Sequence, residues 1–183
     1  MHRPCHIGFG VVVAVLLVCP AGAAVTDSSA SGFTLTESFQ TSAPPAKVYG
    51  ELIRPAHWWS AEHSYSHDAA NFTLDARAGG CWCEKLPDGG SVQHMTVVMA
   101  MPGKMLRLRG ALGPFQALGV DGALTFVLTP TADGGTAVKA TYALGGYYKD
   151  GFANLAAAGD GVLAEQFARL KSDIETGSPE AKH

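Results

Sequence analysis

Ala78-Gly79-Gly80-Cys81-Trp82-Cys83-Glu84 is the stretch that decides the fold of this 183-residue chain. A glycine pair runs directly into a short alternating strand. Glycine at that place permits a bulge or a tight bend at the strand entrance. On a regular strand Cys81 and Cys83 point to one face and Trp82 and Glu84 to the other. Which face meets the interior stays open, because a bulge at Gly79-Gly80 inverts the parity.

Working outward, Asn71 to Arg77 alternates and reads as the preceding strand. Pro87-Asp88-Gly89-Gly90 is a hairpin turn. Ser91 to Met101 is a long strand with Met95, Val97, Met99 and Met101 on one face and His94 on the other. Pro102-Gly103-Lys104 turns the chain into Met105 to Arg109, whose leucines alternate with solvated arginines. Gly110 to Gly122 is glycine-rich and partly apolar, a loop suited to lie over a cavity mouth. Leu124 to Leu128 and Thr136 to Leu144 are two further strands around the turn Thr131-Ala132-Asp133-Gly134-Gly135. From Phe152 to Glu175 the pattern is helical, with Leu155, Val162, Phe167, Leu170 and Ile174 near a 3.6-residue stripe. Ala156, Ala157, Ala158, Gly159 and Gly161 make its first half thin. Such a helix either packs very close to a sheet or leaves volume beneath it.

On the other side of the opening stretch, Phe33 to Gln40 is a half-buried strand with Phe33, Leu35 and Phe39 on the core face. Glu37 shares their parity, and we expect it to sit at a solvated edge. Thr41 or Ser42 caps a helix that Pro44-Pro45 opens and Arg54-Pro55 ends. His57 to His67 then gathers three His, two Trp and one Tyr. Paired tryptophans can wall a pocket. His63 and His67, four residues apart, share a face if that piece is helical. The plainer reading is aromatic packing with loop histidines.

The ends read differently. Met1-His2-Arg3, the apolar run Ile7 to Val18 and Ala21-Gly22-Ala23 form a signal peptide, residues 1–23, with cleavage after Ala23. That places the protein in the periplasm or outside the cell, with no membrane span after cleavage. Residues 24–32 read as a disordered lead-in, 33–176 as one domain and 177–183 as a flexible tail. The composition is that of an ordinary domain, 47% hydrophobic and 16% charged. A net charge of −3 gives no basic surplus for nucleic acid.

Three chemistries fit Cys81 and Cys83. Two buried thiols packed as small apolar groups come first. A disulfide suits an oxidising compartment, but Cα atoms two apart on a regular strand stand roughly 6.5–7 Å apart, the far edge of what a bridge tolerates. A metal site would join both thiolates to His94 or to a histidine of the 57–67 loop, although the spacing is short for zinc.

The order of elements, with Ala43-Pro44-Pro45-Ala46-Lys47-Val48-Tyr49, Trp58-Trp59, Ala78-Gly79-Gly80, Pro102-Gly103-Lys104-Met105-Leu106, Gly134-Gly135-Thr136 and the run from Asp160 to Lys171, resembles the START-like SRPBCC superfamily. The likeness is to its polyketide cyclase/dehydrase and Hsp90-ATPase-activator-like groups and covers about Phe33 to Glu175. It implies an α+β helix-grip fold: a curved antiparallel sheet of about seven strands around a long C-terminal helix, with two short helices after the first strand. It also implies a hydrophobic cavity between sheet and helix. Co-chaperone activity is not expected of an exported chain. Many relatives carry Arg or other large residues at the positions of Cys81 and Cys83, so no catalytic role carries over to them.

The function expected is therefore binding or carriage of a small apolar or amphipathic molecule, with no cofactor and with the oligomeric state unread. Trp58, Trp59, Tyr65, Trp82, Met95, Met99, Phe126, Tyr142, Leu155 and Val162 are the expected lining. One alternative is a cyclase- or hydrolase-type enzyme drawing its acid–base group from His63, His67, His94, Glu37 and Glu84. The other is a thiol or metal protein built on Cys81 and Cys83.

Overall fold

A computed structural model describes residues 24–180. The expected signal peptide lies outside the described residues, as does the end of the tail. One antiparallel sheet carries eight strands in the order β1-β2-β8-β7-β6-β5-β4-β3. The strands are β1 (Ala24–Ser28), β2 (Gly32–Thr41), β3 (Phe72–Leu74), β4 (Cys81–Lys85), β5 (Ser91–Met101), β6 (Met105–Arg109), β7 (Gly119–Pro130) and β8 (Thr136–Tyr147). Helices α1 (Pro45–Leu52) and α2 (Pro55–Trp58) link β2 to the rest, and α3 (Ala153–Thr176) closes the chain. This is an α+β helix-grip fold, with one more strand than the sequence indicates. The eighth is β1, in the segment expected to be disordered. Its backbone groups find partners along the free edge of β2, with Val25 opposite Leu35 and Ser28 opposite Phe33.

Side-chain alternation places the core. Phe33, Leu35 and Phe39 from β2, Leu106 and Leu108 from β6, and Leu124, Phe126 and Leu128 from β7 all face inward. They meet Leu163, Phe167, Leu170 and Ile174 of α3. Phe167 stacks on Phe126 with ring centroids 5.9 Å apart. At the start of α1 the N-cap is Pro44, not Thr41 or Ser42. The Thr41 hydroxyl instead accepts from the Ala43 amide.

Two irregularities in β5 set which side chains look inward. Trp82 pairs with Met95, but Cys83 pairs with Gln93, leaving His94 as an extra residue. Val97 pairs with Leu108, but Met99 pairs with Arg107, leaving Val98 extra. Each bulge inverts the alternation that follows it. The first turns His94 inward beside Met95, and both are buried. The second turns Met99 and Met101 outward, 38% and 44% exposed. A single methionine face along β5 therefore does not exist. Gly79-Gly80 forms the tight entrance to β4. Gly79 has φ +82°, and a Cβ on Gly80 would lie 1.9 Å from the Asp75 carbonyl oxygen. The Gly79 amide and the Gly80 carbonyl both bond Val97.

Candidate functional site: an aromatic cavity beneath the last helix

A cavity of about 340 Å³ lies between the sheet and the first half of α3. That volume is at the small end of ligand pockets, which run from about 300 to 1,000 Å³. Its roof is the thin part of α3, through Leu155, Ala158, Gly159, Val162 and Leu163. Gly159 is what lets this half of the helix sit low. A Cβ there would stand 3.3 Å from Leu35 and 3.4 Å from Phe115. Phe72, Trp82, His94 and Tyr142 rise from the sheet as the floor. One wall is Trp59 with Glu62 to Tyr65, and the other is Leu112 to Phe115. The latter belongs to the glycine-rich segment after β6, which forms a 3₁₀ turn over Gly113–Ala117.

The wall from Trp58 to Tyr65 is fastened to α3 at three points. The Ser60 amide donates to Gln166 Oε1 at 2.7 Å, and Arg169 Nε donates to the Trp58 carbonyl at 2.9 Å. At the rim, His63 Nε2 lies 3.0 Å from Glu165 Oε2. Trp59 and Trp82 meet edge to face with centroids 5.0 Å apart, and the Trp59 indole N–H donates to the His63 carbonyl. Edge-to-face aromatic contacts of this kind hold ring orientations as well as burying area.

The principal polar group of the floor is His94. Its Nε2 lies 2.9 Å from Glu84 Oε2, and both side chains are buried. Glu84 also accepts from the Ser66 amide at 2.6 Å and the Tyr65 amide at 3.2 Å. Burial pushes the Glu84 carboxyl up, but hydrogen bonds from Ser66, His94 and Tyr65 outweigh it and hold the group below the usual carboxylate range. Burial lowers the His94 pKa, against the pull of Glu84. At neutral pH the pair is thus a carboxylate and a neutral imidazole. An ionised carboxylate only accepts, so Nε2 carries the proton and Nδ1 is a bare acceptor. Tyr65 lies nearly parallel to the imidazole, centroids 6.0 Å apart. The Tyr142 hydroxyl accepts from the Leu112 amide, tying the floor to the second wall. Its pKa is raised by burial.

Of the residues expected to line a cavity, Trp59, Tyr65, Trp82, Tyr142, Leu155 and Val162 do so. Trp58 is buried behind Trp59, 5.5 Å between centroids, with its indole N–H on the Glu51 carbonyl. Met95 is buried outside the wall, Met99 is on the outer face, and Phe126 belongs to the packed half under Phe167. Among the acid–base candidates, His63 and His94 reach the cavity and Glu84 stands behind His94. His67 is exposed in a turn at φ 54°, because the segment after the 3₁₀ turn Ala61–His63 is extended and not helical. Glu37 is not at a solvated edge. It is 5% exposed, under α3 and near Asp160. The sequence reading did not single out Glu62, Ser64, Phe72 or Leu163 as lining.

Cys81 and Cys83 are joined in a disulfide, their Cα atoms 5.4 Å apart. They are not buried thiols. Trp82 and Glu84 take the inward face, which leaves the cysteines half-buried on the outer one. The ladder breaks between Trp82 and Cys83, so the regular-strand separation does not apply there. With both sulfurs bonded to each other, neither is a thiolate that could join His94 around a metal.

No protein-family model matches the chain, and no curated protein does. Solved structures do. EF2215 of Enterococcus faecalis, a conserved protein of unknown function, superposes with a TM-score of 0.62 at 16% identity over 88% of this chain and 82% of that one. The Aha1 dimer of Colwellia psychrerythraea gives 0.52 at 19% identity over 79% and 97%. DynU16, a protein of the dynemicin biosynthetic locus, gives 0.53 at 19% identity over 80% of this chain and 48% of its own. At these identities the likeness establishes the fold alone, a curved antiparallel sheet around a long C-terminal helix, and nothing about chemistry.

Proposed function

We propose that the protein binds a small apolar or amphipathic molecule, flat enough to lie between Trp82 and α3, and carries it in the periplasm. The observation that supports this most is the cavity itself: about 340 Å³, walled by Trp59, Phe72, Trp82 and Phe115, with polar groups few and convergent. Aromatic walls favour a ligand with ring character. His94 Nδ1 offers an acceptor to a ligand hydroxyl or amide. Ala158 lies on the roof with its side chain exposed, so Ala158→Trp fills the space without disturbing the packed half of α3. Quenching of tryptophan fluorescence by an apolar naphthalene dye checks the proposal. The parent saturates, and Ala158→Trp weakens binding by at least ~10-fold, equivalent to about 1.4 kcal/mol, with an unchanged thermal midpoint. Equal affinity in both proteins would show that the dye binds elsewhere and would remove the support.

A second reading rests on the His94–Glu84 pair. A neutral imidazole oriented by a buried carboxylate is the arrangement of a general base. It would take a proton from a cavity-bound substrate at Nδ1. Under this reading, turnover of a bound compound is lost in His94→Gln while dye binding persists; binding without turnover in the parent leaves carriage as the function.

A further inference from the structure

Away from the cavity, at the junction of the three helices, Glu51, His57 and Asp173 each offer a ligand atom, and these atoms lie within 4.8 Å of one another. Glu51 comes from the last turn of α1, His57 from α2 and Asp173 from the last turns of α3. The junction is held by the Trp58 indole N–H on the Glu51 carbonyl and by Arg169 Nε on the Trp58 carbonyl. The three ligands therefore sit on elements fixed to one another.

Asp173 is 93% buried (7% exposed), and while both carboxyls are ionised its Oδ2 has no donor, because the group within hydrogen-bond reach is the Glu51 carboxyl, itself an acceptor. A buried carboxylate oxygen without a donor or cation is costly. Arg54, whose charge acts on Asp173, is engaged with Glu51. His57 Nδ1 stands 3.7 Å from Glu51 Oε2, on the solvent side. Two carboxylates and one imidazole thus converge on a spot with one uncompensated buried oxygen and an open outer side.

We propose that Glu51, His57 and Asp173 form a binding site for a divalent transition-metal ion of the zinc class. An ion there adds to the Arg54 charge beside Glu51 and gives Asp173 Oδ2 the partner it lacks. Zinc at about 2.0–2.2 Å from oxygen and nitrogen ligands places those ligands about 3.3 Å apart. The approach needed from 4.8 Å is within reach of side-chain rotation at Glu51 and half-exposed His57. The imidazole selects zinc-like ions over calcium and magnesium, which prefer oxygen throughout. Three protein ligands leave a fourth position to water. The site lies outside the lining of the aromatic cavity and is independent of what that cavity holds.

The test is calorimetric titration of tag-free, chelator-stripped protein with zinc chloride alone, repeated with Asp173→Asn and His57→Gln. The expected result is one ion per chain, a metal-dependent rise in the thermal midpoint, and a loss of affinity of ~10-fold or more for each substitution. Both variants should fold without metal, since one substitution is isosteric and the other is at a half-exposed side chain. No saturable binding up to about 1 mM overturns the site, as does binding that neither substitution weakens. Calcium binding as tightly as zinc, indifferent to His57→Gln, would overturn the zinc-class assignment.

Discussion

Replacing Glu37 by Gln should stabilise the protein at alkaline pH and do nothing at acid pH. Phe33, Leu35, Glu37 and Phe39 form the inward face of β2, so the carboxyl is pressed against α3. Its Oε1 is buried without a partner. Burial, with a smaller contribution from Asp160, raises its pKa from 4.5 to about 7. The folded chain therefore holds this proton more tightly than the unfolded chain. The stability so gained is present in acid and is lost as pH rises from about 4.5 through about 7. The difference, 7 − 4.5 = 2.5 units, corresponds to about 3 kcal/mol at 1.36 kcal/mol per unit. Gln keeps the shape and removes the titration. Guanidinium unfolding of parent and Glu37→Gln at pH 5 and pH 8.5 reads the effect. The two should coincide within about 1 kcal/mol at pH 5, where both side chains are neutral, and diverge by about 3 kcal/mol at pH 8.5. In a domain of this size that is a shift in thermal midpoint of about 6–12 °C. A difference equal at the two pH values, or favouring the parent at pH 8.5, would refute the argument that Glu37 is buried as a neutral acid.

The Glu84–His94 pair acts in the opposite direction. Both folded pKa values lie below the unfolded ones, so stability falls as pH drops below 6.5, where unfolded His94 protonates, and again below 4.5 for Glu84. In Glu84→Ala the limb below 4.5 should vanish in urea titrations while the one below 6.5 deepens, because Glu84 holds the imidazole's pKa up, and neutral-pH stability should fall by about 1–3 kcal/mol for each buried donor left without its acceptor; a loss under about 1 kcal/mol would contradict the pairing. The Cys81–Cys83 bridge closes so short a loop that the chain-entropy relation assigns it only about 1.6 kcal/mol. A Cys81→Ser, Cys83→Ser double variant should therefore stay folded with a midpoint a few degrees lower, and thiol counting of the unfolded parent should find no free cysteine from this pair unless reductant is added.

The parts of the fold that follow from period and punctuation were legible in the sequence. Alternation marks β2 and β8, the thin stripe marks α3, and of the pair Trp58-Trp59 after a proline-terminated helix it is Trp59 that lines the cavity wall. What was not legible depends on pairing between strands. His94 and Met99 carry no mark showing that they flank or follow bulges, because each bulge is a mismatch between β5 and its neighbour. The inward turn of His94 thus could not be read from β5 alone, nor could the outward turn of Met99 and Met101. Glu37 looked solvated because a carboxylate rarely faces a core. Its burial follows from α3 lying across β2, a long-range contact. The Ser, Thr and Ala of β1 have no periodicity, and that strand exists only because β2 has an edge to pair with. The bridge between Cys81 and Cys83 likewise depends on the break in the β4–β5 ladder, which alters the spacing a regular strand would impose.

Native mass spectrometry of the protein, purified under non-denaturing conditions and then measured again after unfolding, tests the central claim most directly. The account predicts a mass excess in the native spectrum that disappears on unfolding, of a size for an apolar molecule that fits about 340 Å³, and that is absent from Ala158→Trp. A native mass equal to that of the unfolded chain, unchanged after incubation with apolar aromatic compounds, would contradict it.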